Sequence, residues 1–152
     1  MPAAETVFAH LSISLRKNAV NASGSAYCIN PYPTTNSWVT HFTYDIGITS
    51  APPADGFAFT IQCMGANDAH TFLTGGLKPA FSIGWRFYDG TLRTTSIRMT
   101  TNDVAQITSY DISPVDLVKN GPADITITYD EPTKVVTVTT IQATGTNITT
   151  YA

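Results

Sequence analysis

The sequence predicts an all-β protein, an antiparallel β-sandwich or jelly roll formed by a single domain over residues 1–152. Apolar and polar residues alternate with a period near two along most of the chain, as they do in strands whose two faces differ. Threonine and serine are scattered through β-branched and aromatic runs, which is typical of strands with one solvated face. With 43% hydrophobic residues, the chain can bury one core.

The alternation predicts nine short strands, at residues 6–15, 25–29, 38–48, 56–64, 81–88, 94–101, 104–110, 123–130 and 134–142. In the third of these, Trp38, Phe42 and Tyr44 share one face and His41 lies on the other. Residues 130–133 form the turn of a hairpin between the last two strands. No internal repeat of a propeller or solenoid is present in the sequence.

One segment has helical features. Residues 113–119 could form a helical turn, with Ser113 as N-cap and Pro114 at the first position.

Composition excludes some partners. Only 12% of the residues are charged and the net charge is −3, so the chain has no basic field for nucleic acid. No apolar run approaches the ~20 residues that cross a bilayer, so we expect no membrane insertion. The N-terminus lacks the layout of a signal peptide, and any export signal is expected to be removed or never present. Secreted and surface-assembling β proteins have this composition, so we expect an extracellular or surface-exposed location.

The sequence lacks the side chains of common catalytic sites. Its only glutamates, Glu5 and Glu131, lie far apart, whereas a glycoside hydrolase needs paired carboxylates. The histidines His10, His41 and His70 have no metal-ligand spacing, and no nucleotide-binding or nucleophile motif occurs. We therefore expect a binding or structural protein without a cofactor, and not an enzyme.

Cys28 and Cys63 are the only cysteines, and both lie in predicted strands. They are too few for a disulfide framework and lack the spacing of a zinc site. A bridge between them and two buried thiols both agree with the sequence, since sequence does not fix the geometry that a disulfide needs.

Residues 52–62 join a rigid turn to a strand. Pro52 and Pro53 restrict the backbone, and Gly56 can adopt angles closed to other residues, so Asp55 is held at a sheet edge. A carboxylate in that position can accept hydrogen bonds from sugar hydroxyls. An ordinary turn is the alternative, because Pro, Asp and Gly form turns in many proteins.

The Ala-Asp-Gly-Phe-x-Phe segment at 54–59 resembles the corresponding segment of L-type (legume-like) lectins. Other matching stretches follow the family's order, at residues 25–27, 38–46, 75–77 and 123–134. The resemblance covers most of residues 25–141 and implies a concanavalin A-like jelly roll. It also implies that Asp55 binds a monosaccharide and that a backbone N–H of the Gly75-Gly76 loop donates to the same sugar.

The sequence departs from this family at the metal site. Gly84 and Arg86 stand where the resemblance places the metal-binding carboxylates, and arginine cannot ligate calcium. We therefore expect no calcium or manganese. Tyr88 keeps the family's aromatic position, and Asp89 lies beside the position of the family's asparagine.

Four aromatic residues are candidates to stack on a sugar ring, namely Trp38, Trp85, Tyr88 and Tyr110. Tryptophans within sandwich strands normally belong to the core, so Tyr88 is preferred. The predicted carbohydrate site thus comprises Asp55, Gly75, Gly76, Tyr88 and Asp89.

The family continues into further core strands after the position of residue 142. Either the sandwich closes with fewer strands, or a second copy supplies an edge, or the chain is a fragment. An open edge would allow pairing into a homo-oligomer. The predicted function is a metal-independent carbohydrate-binding domain whose partners are glycans. The alternative is a structural jelly-roll subunit of a virion, fibre or surface assembly without sugar binding.

Overall fold

The computed structural model describes residues 33–46, 56–62, 80–87, 95–102, 104–119 and 121–152. These residues contain eight strands, β1 (Trp38–Tyr44), β2 (Gly56–Gln62), β3 (Ala80–Arg86), β4 (Ser96–Thr101), β5 (Val104–Asp111), β6 (Ala123–Asp130), β7 (Val135–Gln142) and β8 (Gly145–Tyr151). They form two four-stranded antiparallel sheets. Sheet I has the order β1-β6-β7-β8, and sheet II has the order β2-β3-β4-β5. The predicted antiparallel β-sandwich is confirmed.

Aromatic rings join the two sheets. The ring of Phe42 in sheet I lies edge-on to Trp85 of sheet II, with centroids 6.0 Å apart, and to Phe57, with centroids 6.3 Å apart. Phe57 in turn stacks on Trp85 at 4.8 Å, and Tyr44 stacks on Phe57 at 4.4 Å. Trp85 is fully buried. These contacts form the centre of a core that extends through both sheets.

Strand β1 corresponds to the strand predicted at residues 38–48, and its inward and outward faces are those predicted. Trp38 is buried and Phe42 packs against the core, whereas Val39, His41 and Thr43 are exposed. The alternation is reliable here because the inward positions carry large aromatic rings, which gain most from leaving water.

The strands predicted from residue 38 onward are all present; that at 123–130 has the predicted bounds, and the others differ by a few residues at one or both ends. The hairpin turn between β6 and β7 is confirmed. The first two predicted strands, at residues 6–15 and 25–29, lie outside the described residues. Strand β8 was not predicted. Its apolar Ile148 is 61% exposed while Thr149 is buried, so the apolar pattern of β8 is the reverse of the usual one.

The helical turn expected at residues 113–119 is wrong. Ser113 does not act as an N-cap, because the N–H groups of Val115 and Asp116 that a cap would receive donate instead to Ile112 O at 3.0 Å and to Gln142 Oε1 at 2.9 Å. Two separate tight turns form instead, closed by Val115 N to Ile112 O at 3.0 Å and by Lys119 N to Asp116 O at 3.2 Å.

A buried glutamine holds this loop against sheet I. The Gln142 side chain is 6% exposed; its Oε1 accepts from Asp116 N at 2.9 Å. Its Nε2 donates to Asp116 O at 3.0 Å and to Gly121 O at 2.8 Å. The end of β7 and the loop before β6 are therefore fixed together by hydrogen bonds that leave the amide satisfied.

Gly145, at the start of β8, packs against the same loop. Its φ is +148°, and an added Cβ would lie 2.5 Å from Pro114 Cγ. Gly121 has a φ of +78° but nothing within 4 Å of the corresponding position. Both glycines thus have a positive φ that disfavours side chains, and they differ in the space around them.

We expect Gly145→Ala to lower the free energy of unfolding by about 3 kcal/mol, because backbone strain and overpacking add. The matched control Gly121→Ala carries only the strain and should cost about 1 kcal/mol. Urea denaturation of the two variants measures the difference. Equal losses would show that the contact with Pro114 does not constrain β8.

Candidate functional site

The five residues of the predicted carbohydrate site, Asp55, Gly75, Gly76, Tyr88 and Asp89, lie outside the described residues. Their roles stay predictions. Cys28 and Cys63 lie outside them as well.

Of the remaining stacking candidates, Trp38 and Trp85 are buried in the core and cannot stack on a sugar. Tyr110, on β5, is 49% exposed.

Gly56, which follows Asp55 in sequence, is the first residue of β2. Its φ is +145°, in the region that side-chain-bearing residues rarely adopt. The backbone at residue 56, directly after Asp55 in sequence, therefore requires glycine. Gly56 is paired with Arg86, the last residue of β3. Asp55, the predicted sugar ligand, therefore directly precedes in sequence the residue that is paired with Arg86.

The side of sheet II that faces away from the core is here called the outer face of sheet II. Along β3, Ile83 and Trp85 point into the core, so Ser82, Gly84 and Arg86 belong to the outer face. The same alternation places Ala58 and Thr60 of β2, and Ser96, Arg98 and Thr100 of β4, on this face. Thr60 and Ser82 share a hydrogen bond of 3.0 Å across the strands.

Two arginines are neighbours on the outer face of sheet II. Arg86 pairs with Ser96, and Gly84 pairs with Arg98, so the arginines occupy diagonal positions on adjacent strands. Both are half-buried. Arg98 Nε is buried and has no hydrogen-bond partner. Among the described residues the ion pairs are Lys119–Asp116 and Lys134–Glu131, so neither arginine has a carboxylate partner there.

Sequence reasoning noted Arg86 only as a residue that cannot bind calcium, and it missed Arg98. The two arginines are recognised as neighbours only from the pairing of β3 with β4, which the order of residues along the chain does not give. Once the strands are paired, the two charges fall on one face, separated by Gly84 and Ser96.

In the described part of the chain, no group of three or more His, Cys, Asp or Glu side chains could hold a metal ion. Gly84 and Arg86 both lie on the outer face of sheet II, and neither side chain supplies an oxygen ligand. Within the same residues, no helix has the length and apolar character to span a bilayer.

No protein-family model and no curated protein matches the sequence. Solved structures do match the fold. Lectin II from Ulex europaeus is 20% identical with a TM-score of 0.58, and the match covers 76% of this chain and 56% of that one. Lectin I-B4 from Griffonia simplicifolia, in a metal-free form, is 19% identical with a TM-score of 0.55 over the same shares.

Winged bean acidic lectin in complex with methyl-α-D-galactose is 20% identical with a TM-score of 0.59. This match covers 91% of the present chain and 66% of the lectin. The chain thus spans between about half and two thirds of the length of these lectins. The two antiparallel sheets, their aromatic core and these structural matches show that the chain has the legume-lectin fold, a concanavalin A-like β-sandwich.

Proposed function

We propose that the protein is a metal-independent carbohydrate-binding domain that acts outside the cell or at a surface and is not an enzyme. The observation that carries this proposal is the legume-lectin fold, since winged bean acidic lectin, which shares it, is in complex with methyl-α-D-galactose. At this sequence identity the likeness supports the class of ligand and does not specify the sugar.

The proposed site lies where Asp55 enters β2. The Asp55 carboxylate accepts hydrogen bonds from sugar hydroxyls, the backbone of Gly75 and Gly76 donates to the same sugar, and Tyr88 stacks on the ring with Asp89 beside it. Gly56, which directly follows Asp55 in sequence, supports this arrangement, because it begins β2 with a positive φ that requires glycine. The outer face of sheet II continues from this point along β2 and β3.

Metal independence is proposed from the side chains of β3. Calcium requires a cage of oxygen ligands. Gly84 has no side chain, and the guanidinium of Arg86 is a permanent cation that repels a metal ion. We propose that the binding loop is held without a metal.

A second candidate function is assembly with further copies of this chain. The observation that favours it is the exposed face of sheet I, where Val39 and Ile148 are each 61% exposed and Ile141 is 49% exposed. Threonines occupy the neighbouring positions Thr126, Thr128, Thr137 and Thr139. Such a face carries little charge and could pack against its own copy.

Light scattering separates the two candidate functions. A monomer that binds sugar excludes assembly, and a large ordered particle without sugar affinity supports it.

We expect Asp55→Asn to abolish binding on a glycan array, because the amide replaces an acceptor oxygen by a donor and removes the charge that strengthens the hydrogen bonds. The matched control is Asp124→Asn, an exposed aspartate of sheet I that accepts from Thr43 at 2.7 Å. The control should keep the wild-type glycan profile, and both variants should keep the wild-type melting temperature within a few degrees.

The same array is run with a chelator, which should leave the wild-type profile unchanged. A profile that survives Asp55→Asn would show that sugar binds elsewhere. Loss of binding on chelation, restored by added calcium, would contradict the absence of a metal.

A further inference from the structure

We propose that the outer face of sheet II binds the acid group of an acidic saccharide, a carboxylate or a sulfate, between Arg86 and Arg98. This inference rests on the proposed function and deepens it, because it gives the chemical class of the glycan. It concerns described residues of β3 and β4 and does not depend on the placement of Asp55.

The first support is the distance between the two charges. Diagonal positions on adjacent antiparallel strands have Cβ atoms about 7 to 8 Å apart or somewhat less, within reach of long side chains. The pairing of Arg86 with Ser96 and of Arg98 with Gly84 places the two arginines in this relation. One oxyanion can therefore accept hydrogen bonds from both guanidinium groups.

The second support is the cost of leaving these charges without an anion. A half-buried cation has lost part of its hydration, and this loss is unfavourable unless an opposite charge or hydrogen bonds replace it. Arg98 Nε is buried without a partner, and neither arginine forms an ion pair among the described residues. Two like charges at this distance also repel each other. A bound anion would offset both costs.

The third support is that the described carboxylate near the arginines on this face, that of Asp111, forms no ion pair with either of them. Asp111 on β5 is opposite Ser96, so it lies diagonal to Arg98 on the adjacent strand. Its Oδ1 accepts hydrogen bonds from the backbone N–H of Ser113 at 3.0 Å and from the Ser113 hydroxyl at 2.9 Å. This aspartate is therefore already engaged in holding the loop that follows β5.

The fourth support is the shape of the surroundings. The residues next to the arginines are small, with Gly84 between them on β3 and Ala58 beside it on β2. Ser96 and Thr100 are buried, whereas both arginines are half-buried and so reach solvent. Gly84, Ser96 and Thr100 are all buried, so the outer face is covered beside Arg98, and the two arginine side chains are what reaches solvent there.

The chemistry of the ligand follows from these groups. The guanidinium fork of arginine matches carboxylate and sulfate oxygens in a bidentate manner. The Thr60 and Ser82 hydroxyls on the same face suit the hydroxyls of a sugar. The net charge of −3 disfavours a polyanion such as nucleic acid, which needs a wide basic surface. A neutral sugar body with one acid group is the ligand that fits.

The test compares matched saccharides by isothermal calorimetry, with sialyllactose against lactose and a sulfated lactose as a separate arm. We expect the wild-type protein to bind one of the acidic sugars about 10- to 100-fold more tightly than lactose, the range that a charged hydrogen-bond pair supplies. Arg98→Gln and Arg86→Gln should each reduce this preference, and the double variant should remove it.

Two control variants accompany them. Lys134→Gln removes an equal charge from the hairpin turn of sheet I and should keep the preference. Arg98→Lys, which keeps the charge without the fork, should keep part of it.

Equal binding of acidic and neutral sugars by the wild type would overturn the inference, as would a preference that persists in the double variant. Failure of the proposed sugar site at Asp55 would give a different result from failure of this inference. If Asp55→Asn leaves binding intact while the arginine variants lose the acid preference, the Asp55 assignment fails and the inference stands. If Asp55→Asn abolishes binding of lactose but no acid preference exists, the inference fails and the proposed function stands.

Discussion

The contact between Phe42 of sheet I and Phe57 and Trp85 of sheet II is the constraint on which the rest of the described structure depends. Three rings from three strands meet there, and aromatic pairs add about 0.5 to 1.5 kcal/mol each beyond the area they bury. Trp85 is fully buried, so β3 cannot shift along its neighbours without losing this packing. The position of Gly56 at the start of β2 follows, because Gly56 directly precedes Phe57.

This core also determines which side chains face outward. Successive residues of a strand point to opposite sides, and a one-residue slip would exchange the two faces. With Ile83 and Trp85 inward on β3, and Ile97 and Met99 inward on β4, the arginines have one available direction. Their proximity is thus a consequence of the packing of large apolar groups. Two cations side by side repel each other, and Arg98 Nε is buried without a hydrogen-bond partner, so these costs are the physical basis for proposing an anionic ligand there.

The sequence predicted the sandwich well where large rings mark the inward positions, as in β1, β2 and β3. It failed at β8, where Ile148 faces solvent and Thr149 is buried, so apolar alternation gives the wrong face. It failed at residues 113–119, since the N–H groups of Val115 and Asp116, which a helix cap would receive, donate instead to Ile112 O and to Gln142 Oε1. The diagonal placement of Arg86 and Arg98 on adjacent strands could not be predicted, because register between strands is a long-range property. Asp55 and its predicted partners were found from a motif, and their arrangement stays a prediction.

The most direct measurement of the central claim, that a saccharide binds where β2 begins and β3 ends, is amide chemical-shift mapping of the isotopically labelled protein during titration with sialyllactose. The account predicts the largest shifts at Gly56, Gly84 and Ser96. The amides of Thr126 and Thr139 on the exposed face of sheet I should not change. Shifts confined to sheet I, or no shifts at saturation with sialyllactose and with a sulfated lactose alike, would contradict the account.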